Sequence, residues 1–360
     1  MSLLFGHAGF GHQRPESQDA FLKLPEMPDD IGAMFSTGEM PWHGKGLRLE
    51  GPATMKAALV AGGLDWQVGY DELVTKGSNP SPVPSRRAVA RLDKLPGDEG
   101  RVIGVVHRGF EAIQNSEAAQ IFDNVFGKGK AVYETGGYLR RGEVIWLLAK
   151  IDRTISVGGK DNIVPYAFML NSHDGSSAYQ IRLTTIRVVC QNTLNAALKE
   201  SKFGKQFRRS HSGSVAAHAI AADEFYKQAL GEIDAVELSF NLLLNRPCDD
   251  ANFEKFTHKL FPEPKRPAVS AAKSQQKAYE TRLRNTQAAR AKVLELRDNG
   301  QGTEIAGVRG SLWGALNAVI EYSDFHSSTE GPVPASVLLG DGASFKTRAY
   351  QLAMSMTQSS

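Results

Sequence analysis

Cys190 and His173 are the residues whose types could support covalent chemistry. Cys190 precedes Asn192 and Thr193, either of which can cap a helix, and a helix N-terminus lowers a thiol pKa. His173 lies in the turn Ser172-His173-Asp174-Gly175, one strand earlier in the chain. That strand would carry the two side chains to different edges of a sheet. Cys190 also follows Val188-Val189, so burial as a small apolar residue is its expected fate. A Cys-dependent hydrolase using Cys190 and His173 is kept as an alternative.

Other catalytic signatures are missing. The nine histidines include no HExxH, and the His211 and His218 spacing is one that chance supplies. No acidic cluster resembles a paired-metal site, and no metal or other cofactor is expected. There is no GxxxxGK[ST] loop, and Gly127-Lys128-Gly129-Lys130 reads as a glycine-lysine turn. An ATP-driven mechanism therefore has no support.

Charge placement is the remaining signal. Arg140, Arg141, Lys150, Arg153, Arg182 and Arg187 fall on or at the ends of predicted strands. Lys199, Lys202, Lys205, Arg208 and Arg209 follow on a predicted basic helix, opposed only by Glu200. Singly these are solvated residues or ion-pair partners; several along one sheet favour phosphate contact. Arg182 and Arg187 differ by an odd number, so an unbulged strand turns them to opposite faces.

The elements that must position these residues follow from patterning. The stretch from Asn171 to Glu200 reads as a turn, a strand over Tyr179 to Val189 and a helix from Asn192. Before it come a strand over 101–107, a helix over 116–126 and strands over 131–140, 143–155 and 163–170. The run EVIWLLAKI is apolar on both faces and should be central. Residues 1–40 lack periodicity and read as a loose arm, with PWHGKG at 41–46 a Trp-pinned turn or a base-contacting loop. MKAALVAGG is a short helix ended by Gly62-Gly63, 64–74 is a strand, and the Pro/Ser-rich 77–87 is irregular. Helices are expected over 214–230, to about Asn245, over 271–298, around LWGALNAVIEY and over 345–354.

The grouping predicts an α+β fold, an antiparallel meander sheet flanked by helices with a mostly helical C-terminal part. Five regions are expected. They are an arm and small α/β subregion (1–100), the sheet core (101–211), a helical region (212–263), a basic helical linker (264–301) and a C-terminal helical region with tail (302–360). The chain of 360 residues is 41% hydrophobic and 22% charged, with net charge +3, so a polyanion surface must come from local clustering. Two cysteines exclude a disulfide framework, and no charged n-region or long apolar run is present. A cytoplasmic protein with no membrane partner is expected.

The segments PWHGKG, GFEAIQN, GKGKAVYETGGYLRRGEVIWLLAKI, NSHDGS, IRVVCQNTLNAAL and SLWGALNAVIEYSDF resemble the phage/plasmid-like protein family. That family is built on a bacterial, phage and plasmid domain of unknown function. The order of one helix, antiparallel strands and a further helix is similar, at fold level, to single-strand annealing proteins (the Rad-fifty-two type, Redβ, RecT, Erf and Sak). The likeness implies a β-β-β-α core that binds single-stranded DNA in a basic groove, without ATP, as a homo-oligomeric ring or filament. The expected role is annealing in phage or plasmid recombination; a protein-interaction module such as a host-defence antagonist is the other alternative.

Overall fold

The computed structural model describes residues 31–37, 46–51, 53–125, 131–187, 207–209, 231–327 and 341–358. The predicted helices at Asn192 and over 214–230, together with Cys190, Lys199, Lys202, Lys205 and residues 41–45, lie outside these.

An eight-stranded sheet organises the chain. In chain order its members are β1 (Ile31–Thr37), β2 (Leu47–Leu49), β6 (Val132–Leu139), β7 (Val144–Lys150), β8 (Ile155–Val157), β9 (Asp161–Ser172), β10 (Tyr179–Arg187) and β11 (Phe207–Arg209). Between β2 and β6 lie helix α1 (Met55–Ala61), a second sheet of β3 (Val68–Val74), β4 (Pro82–Arg91) and β5 (Val102–His107), and helix α2 (Asn115–Val125). The large sheet runs β11-β10-β9-β7-β6-β1-β2, with β8 pairing on β9, and the small one runs β3-β4-β5. All pairs are antiparallel except β1 with β2. The fold is α+β.

β7 sits between β6 and β9, as an apolar run on both faces demands. Ile145, Leu147 and Ala149 enter the main core, while Trp146 and Leu148 join Met34, Tyr166, Phe168 and Leu170 in a second cluster on the other face. Helix α2 covers the first face. Its Phe122 ring meets Tyr133 edge-on at 5.9 Å, and the Tyr179 hydroxyl donates to the Ala118 carbonyl at 3.0 Å. Helix α1 starts at Thr54, whose hydroxyl accepts from the Ala57 N–H, and ends at Gly62 with Gly63 at φ +62°.

The C-terminal part is helical: α3 (231–244), α4 (Asp250–Leu260), α5 (Lys273–Asn299), α6 (Leu312–Glu321), a π-turn (Tyr322–His326) and α7 (Asp341–Thr357). All ten residues of α6 are buried, which its all-round apolar sequence requires. Trp313 anchors it to the sheet: its indole N–H donates to Asp161 of β9 at 2.8 Å, and its ring lies 4.7 Å from Phe240 of α3. One continuous hydrophobic cluster therefore extends from Phe35 to Ala353.

Several expectations need correction. Residues 31–37 are not a loose arm but β1, inserted against β6 in the large sheet. The insertion is tight, because a Cβ on Gly137 would collide with the Ala33 carbonyl. The irregular stretch 77–87 contains the start of β4. Its prolines are tolerated because residues 82–85 lie beyond the reach of β5, and Pro84 falls inside the register slip between Glu72–Arg87 and Val74–Pro82. The strand over 143–155 is two strands, interrupted after Lys150. Arg208 and Arg209 lie on β11, paired to β10, rather than on a helix, so pairing to an exposed sheet edge decides their local structure. Helix α4 falls within the helical region expected over 212–263 but was not expected as a separate helix; Asp249 caps it, accepting from the Asn252 N–H at 2.8 Å.

Lys346 of α7 donates to Asp324 of the π-turn at 2.7 Å, and both side chains are almost completely buried. Burial pushes the ammonium below its usual range, against the pull of the carboxylate. Asp324→Ala leaves a buried ammonium and should cost about 3–5 kcal/mol in urea unfolding. The apolar pair Lys346→Met/Asp324→Leu should cost clearly less. Equal losses for both variants would show that the pair is not what holds α7 to the π-turn.

Candidate nucleic-acid interface

The β9–β10 turn is built by its own side chains. Gly175 supplies φ +76°. The Ser172 hydroxyl donates to Asp174 Oδ1 at 2.6 Å, the Ser176 N–H donates to the same oxygen at 2.9 Å, and the Ser177 N–H donates to Ser172 Oγ at 3.2 Å. The turn rests on β5, where a Cβ on Gly104 would approach Asp174 Cα to 2.6 Å. Only glycine allows that contact.

His173 points into the interior. Its ring is fully buried and lies 5.5 Å from that of Trp66. Asn115 Nδ2 donates to the carbonyls of Leu64 and Trp66 at 3.0 and 3.2 Å, so its Oδ1 is the acceptor for His173 Nε2–H at 2.8 Å. Neighbouring Asn171 Nδ2 donates to the Ile113 carbonyl at 2.9 Å. This is a packed, hydrogen-bonded histidine without access to a substrate. Cys248 is also buried, which pushes its thiol up to about 11. Among the described residues no group of three or more His, Cys, Asp or Glu could hold a metal ion, and no helix is long and apolar enough to cross a membrane.

The predicted cations fall into separate groups. Arg140 and Arg141 occupy the β6–β7 turn. Arg140 has φ +54°, and Arg141 contacts Glu143 at 3.2 Å while its carbonyl accepts from Arg91 Nη1 at 3.0 Å. Lys150 lies at the other end of β7, some 20 Å away by strand rise. Arg153 follows it and is paired to Asp234 of α3. Arg182 on β10 donates from Nε to Gln180 Oε1 at 2.9 Å. The β9–β10 register is continuous from residue 180 to residue 187, so Arg182 and Arg187 occupy positions of opposite parity.

Three of the positions share one face. Lys150 pairs with Tyr166, Arg182 with Phe168, and Arg208 with Gln180, and Tyr166 and Phe168 belong to the second apolar cluster. Directly paired residues face the same side. Lys150, Arg182 and Arg208 therefore form a diagonal across β7, β9, β10 and β11. Their backbone positions are roughly 12 Å and 8 Å apart from strand spacing and rise. Arg209, paired with Tyr179, belongs to the opposite face. On the diagonal's face Trp146 and Phe168 are only 4% and 3% exposed. Bases cannot stack on these covered rings. Sequence reading missed the companions Gln180 and Thr184, although the alternation Gln180-Arg182-Thr184 against Ile181-Leu183 carried that signal.

The architecture is that of an α+β protein built on an antiparallel sheet. The chain belongs to the family described as "Domain of unknown function (DUF932)", which residues 102–355 match. It is also similar to the UPF0380 protein YafZ of Escherichia coli (strain K12), with 35% identity over 108 residues, 29% of this chain. The match spans 36% of that relative's length. No solved structure matches.

Burial works to raise the Asp174 pKa. The hydrogen bonds from Ser172 and Ser176 and the nearby Arg140 guanidinium outweigh it, and the carboxyl titrates below its usual range. A depressed carboxylate pKa contributes stability that is present above the unfolded value and is lost as pH falls through the folded one. Urea unfolding between pH 7 and pH 2 should therefore show a steeper acid loss for the natural chain than for Asp174→Asn. Parallel curves would contradict the turn's hydrogen-bonding scheme.

Proposed function

We propose that this protein binds single-stranded DNA through its phosphate backbone, without ATP, and anneals strands in phage or plasmid recombination as a homo-oligomer. The observation that carries the reading is the diagonal of Lys150, Arg182 and Arg208 positions on one face of the large sheet. Lys150 is exposed and free of any described carboxylate partner, and Arg182 is half-buried and donates to the Gln180 side-chain amide. Cations of this kind on a regular sheet suit the evenly charged backbone of a nucleic acid strand.

The order of α2, β6, β7, β9 and β10 supports the same reading, since a helix followed by an antiparallel meander is what the likeness to annealing proteins rests on. The buried aromatics of that face agree with contacts that ignore base identity. A hydrolase built on Cys190 and His173 is disfavoured, because the His173 ring is buried and hydrogen-bonded to Asn115.

Fluorescence anisotropy with labelled oligonucleotides of about 30 nucleotides, across a salt series, tests the proposal. Single strands should bind more tightly than duplex, with similar affinity for different sequences. Lys150→Gln/Arg182→Gln should bind more weakly and flatten the plot of log K against log salt by about 1.4, near 0.7 for each lost phosphate contact. An unchanged slope in this variant would remove the sheet face from the binding surface.

A further inference from the structure

A second cationic surface lies well away from the large sheet in sequence. Helix α5 has two unlike halves. In its C-terminal half Ala289, Val293 and Leu296 are buried against the body of the protein. Residues 273–288 bury none, and Ala272 before them makes no side-chain cap bond. A helical half that is polar all round contributes little to any core. Its charges are also one-sided. Between Pro264 and Ala288 the chain carries Lys265, Arg266, Lys273, Lys277, Arg282 and Arg284 against Glu280 alone. None of these six cations forms an ion pair with a described residue. Further along, Arg290, Lys292 and Arg297 each pair with a carboxylate.

The segment before α5 folds back along this half and encloses a surface cleft of about 700 Å³. Lys265 lines one wall, Tyr279 and Arg282 line the other, and Pro264, Pro267 and Ala278 are among the remaining lining residues. An aromatic ring flanked by two unpaired cations offers a stacking surface and two phosphate contacts in one place. Tyr279 is half-buried, so its ring is held while part of it stays accessible. This pairing is what the sheet face lacks, since Trp146 and Phe168 are covered there.

We propose that the cleft between residues 264–271 and the first half of α5 is a nucleotide-binding site for single-stranded nucleic acid. A base stacks on Tyr279, and the flanking phosphates are held by Lys265 and Arg282. Lys273, Lys277 and Arg284 carry the strand along the helix. A flexible single strand can present a base and its phosphates to so short a surface, whereas a duplex keeps its bases stacked. The site stands on its own residues and shares with the sheet face only the class of partner.

The test uses the full chain, labelled oligothymidine of about 30 nucleotides, and competition by heparin. All substitutions are at exposed or half-buried positions outside the core. Tyr279→Ala should weaken oligothymidine binding about tenfold, within the range for losing one stacked base, while Tyr279→Phe should bind like the natural chain. Lys265→Gln/Arg282→Gln should lower the salt slope by about 1.4. The same losses should appear in the Lys150→Gln/Arg182→Gln background, so the two surfaces are read separately. Cleft variants that match the natural chain, while the sheet variant loses binding, would overturn this site and leave the sheet reading intact. Losses confined to the cleft variants would do the reverse. Equal affinity for Tyr279→Ala and the natural chain, with a lowered slope for the charge variant, would make the cleft a general polyanion surface and overturn the stacking role. A natural chain that binds no oligonucleotide at low salt would overturn both.

Discussion

The contact between Asn115 and His173 is the constraint on which the arrangement of the two sheets depends. Asn115 opens helix α2 and its amide donates to the backbone carbonyls of Leu64 and Trp66, just ahead of β3. Its carbonyl oxygen accepts from the ring Nε2–H of His173, just after β9, while the His173 backbone N–H donates to the Glu143 carbonyl before β7 at 2.7 Å. Neighbouring Gln114 donates to and accepts from the backbone of Val68 at 3.0 and 2.9 Å. Four segments distant in sequence are thus joined by buried hydrogen bonds, each of which would be costly to leave unmade. The start of α2, the small sheet and the large sheet are fixed together at this point.

That fixed frame decides where charge can be displayed. One face of the large sheet is given to α1, α2 and the C-terminal helices, with Trp313 bonded to Asp161 across the seam. Cations on that side are consumed as ion pairs: Arg153 with Asp234, Arg297 with Asp250. The other face carries Lys150, which is exposed, and Arg182, which donates to Gln180. The long helix α5 repeats the contrast on a smaller scale, paired where it docks and unpaired where it leaves the core. A long, flexible polyanion is the proposed partner of these two separate cationic surfaces.

Much of this was legible in the sequence. EVIWLLAKI announced a central strand, Gly175 a tight reversal, Gly62-Gly63 a helix end and the all-round apolar LWGALNAVIEY a buried helix. Local signals sufficed because these segments obey local rules. The failures were non-local. IGAMFST carries no clear period, and it becomes β1 because Gly136 and Gly137 of β6, a hundred residues later, let its backbone approach. Pro82 and Pro84 argued against a strand; Pro84 falls inside the register slip, and both lie beyond the β4 residues that pair with β5. His173 looked available for chemistry because its partner Asn115 is 58 residues away. Arg140, Arg141 and Lys150 fall at strand ends as expected, whereas Arg208 and Arg209 fall on a strand instead of a helix; which cations share a face across different strands depends on pairing register, which a strand's own sequence does not encode.

Hydrogen exchange of the full chain, with and without excess oligothymidine at low salt, tests the central claim most directly. The account predicts slowed exchange over residues 148–153, 179–187 and 264–284, with residues 110–118 and 171–175 already slow and unchanged. Slowed exchange confined to 110–118 and 171–175, around His173, would contradict it and return attention to chemistry at that turn. No change anywhere would remove nucleic acid as the partner of both surfaces.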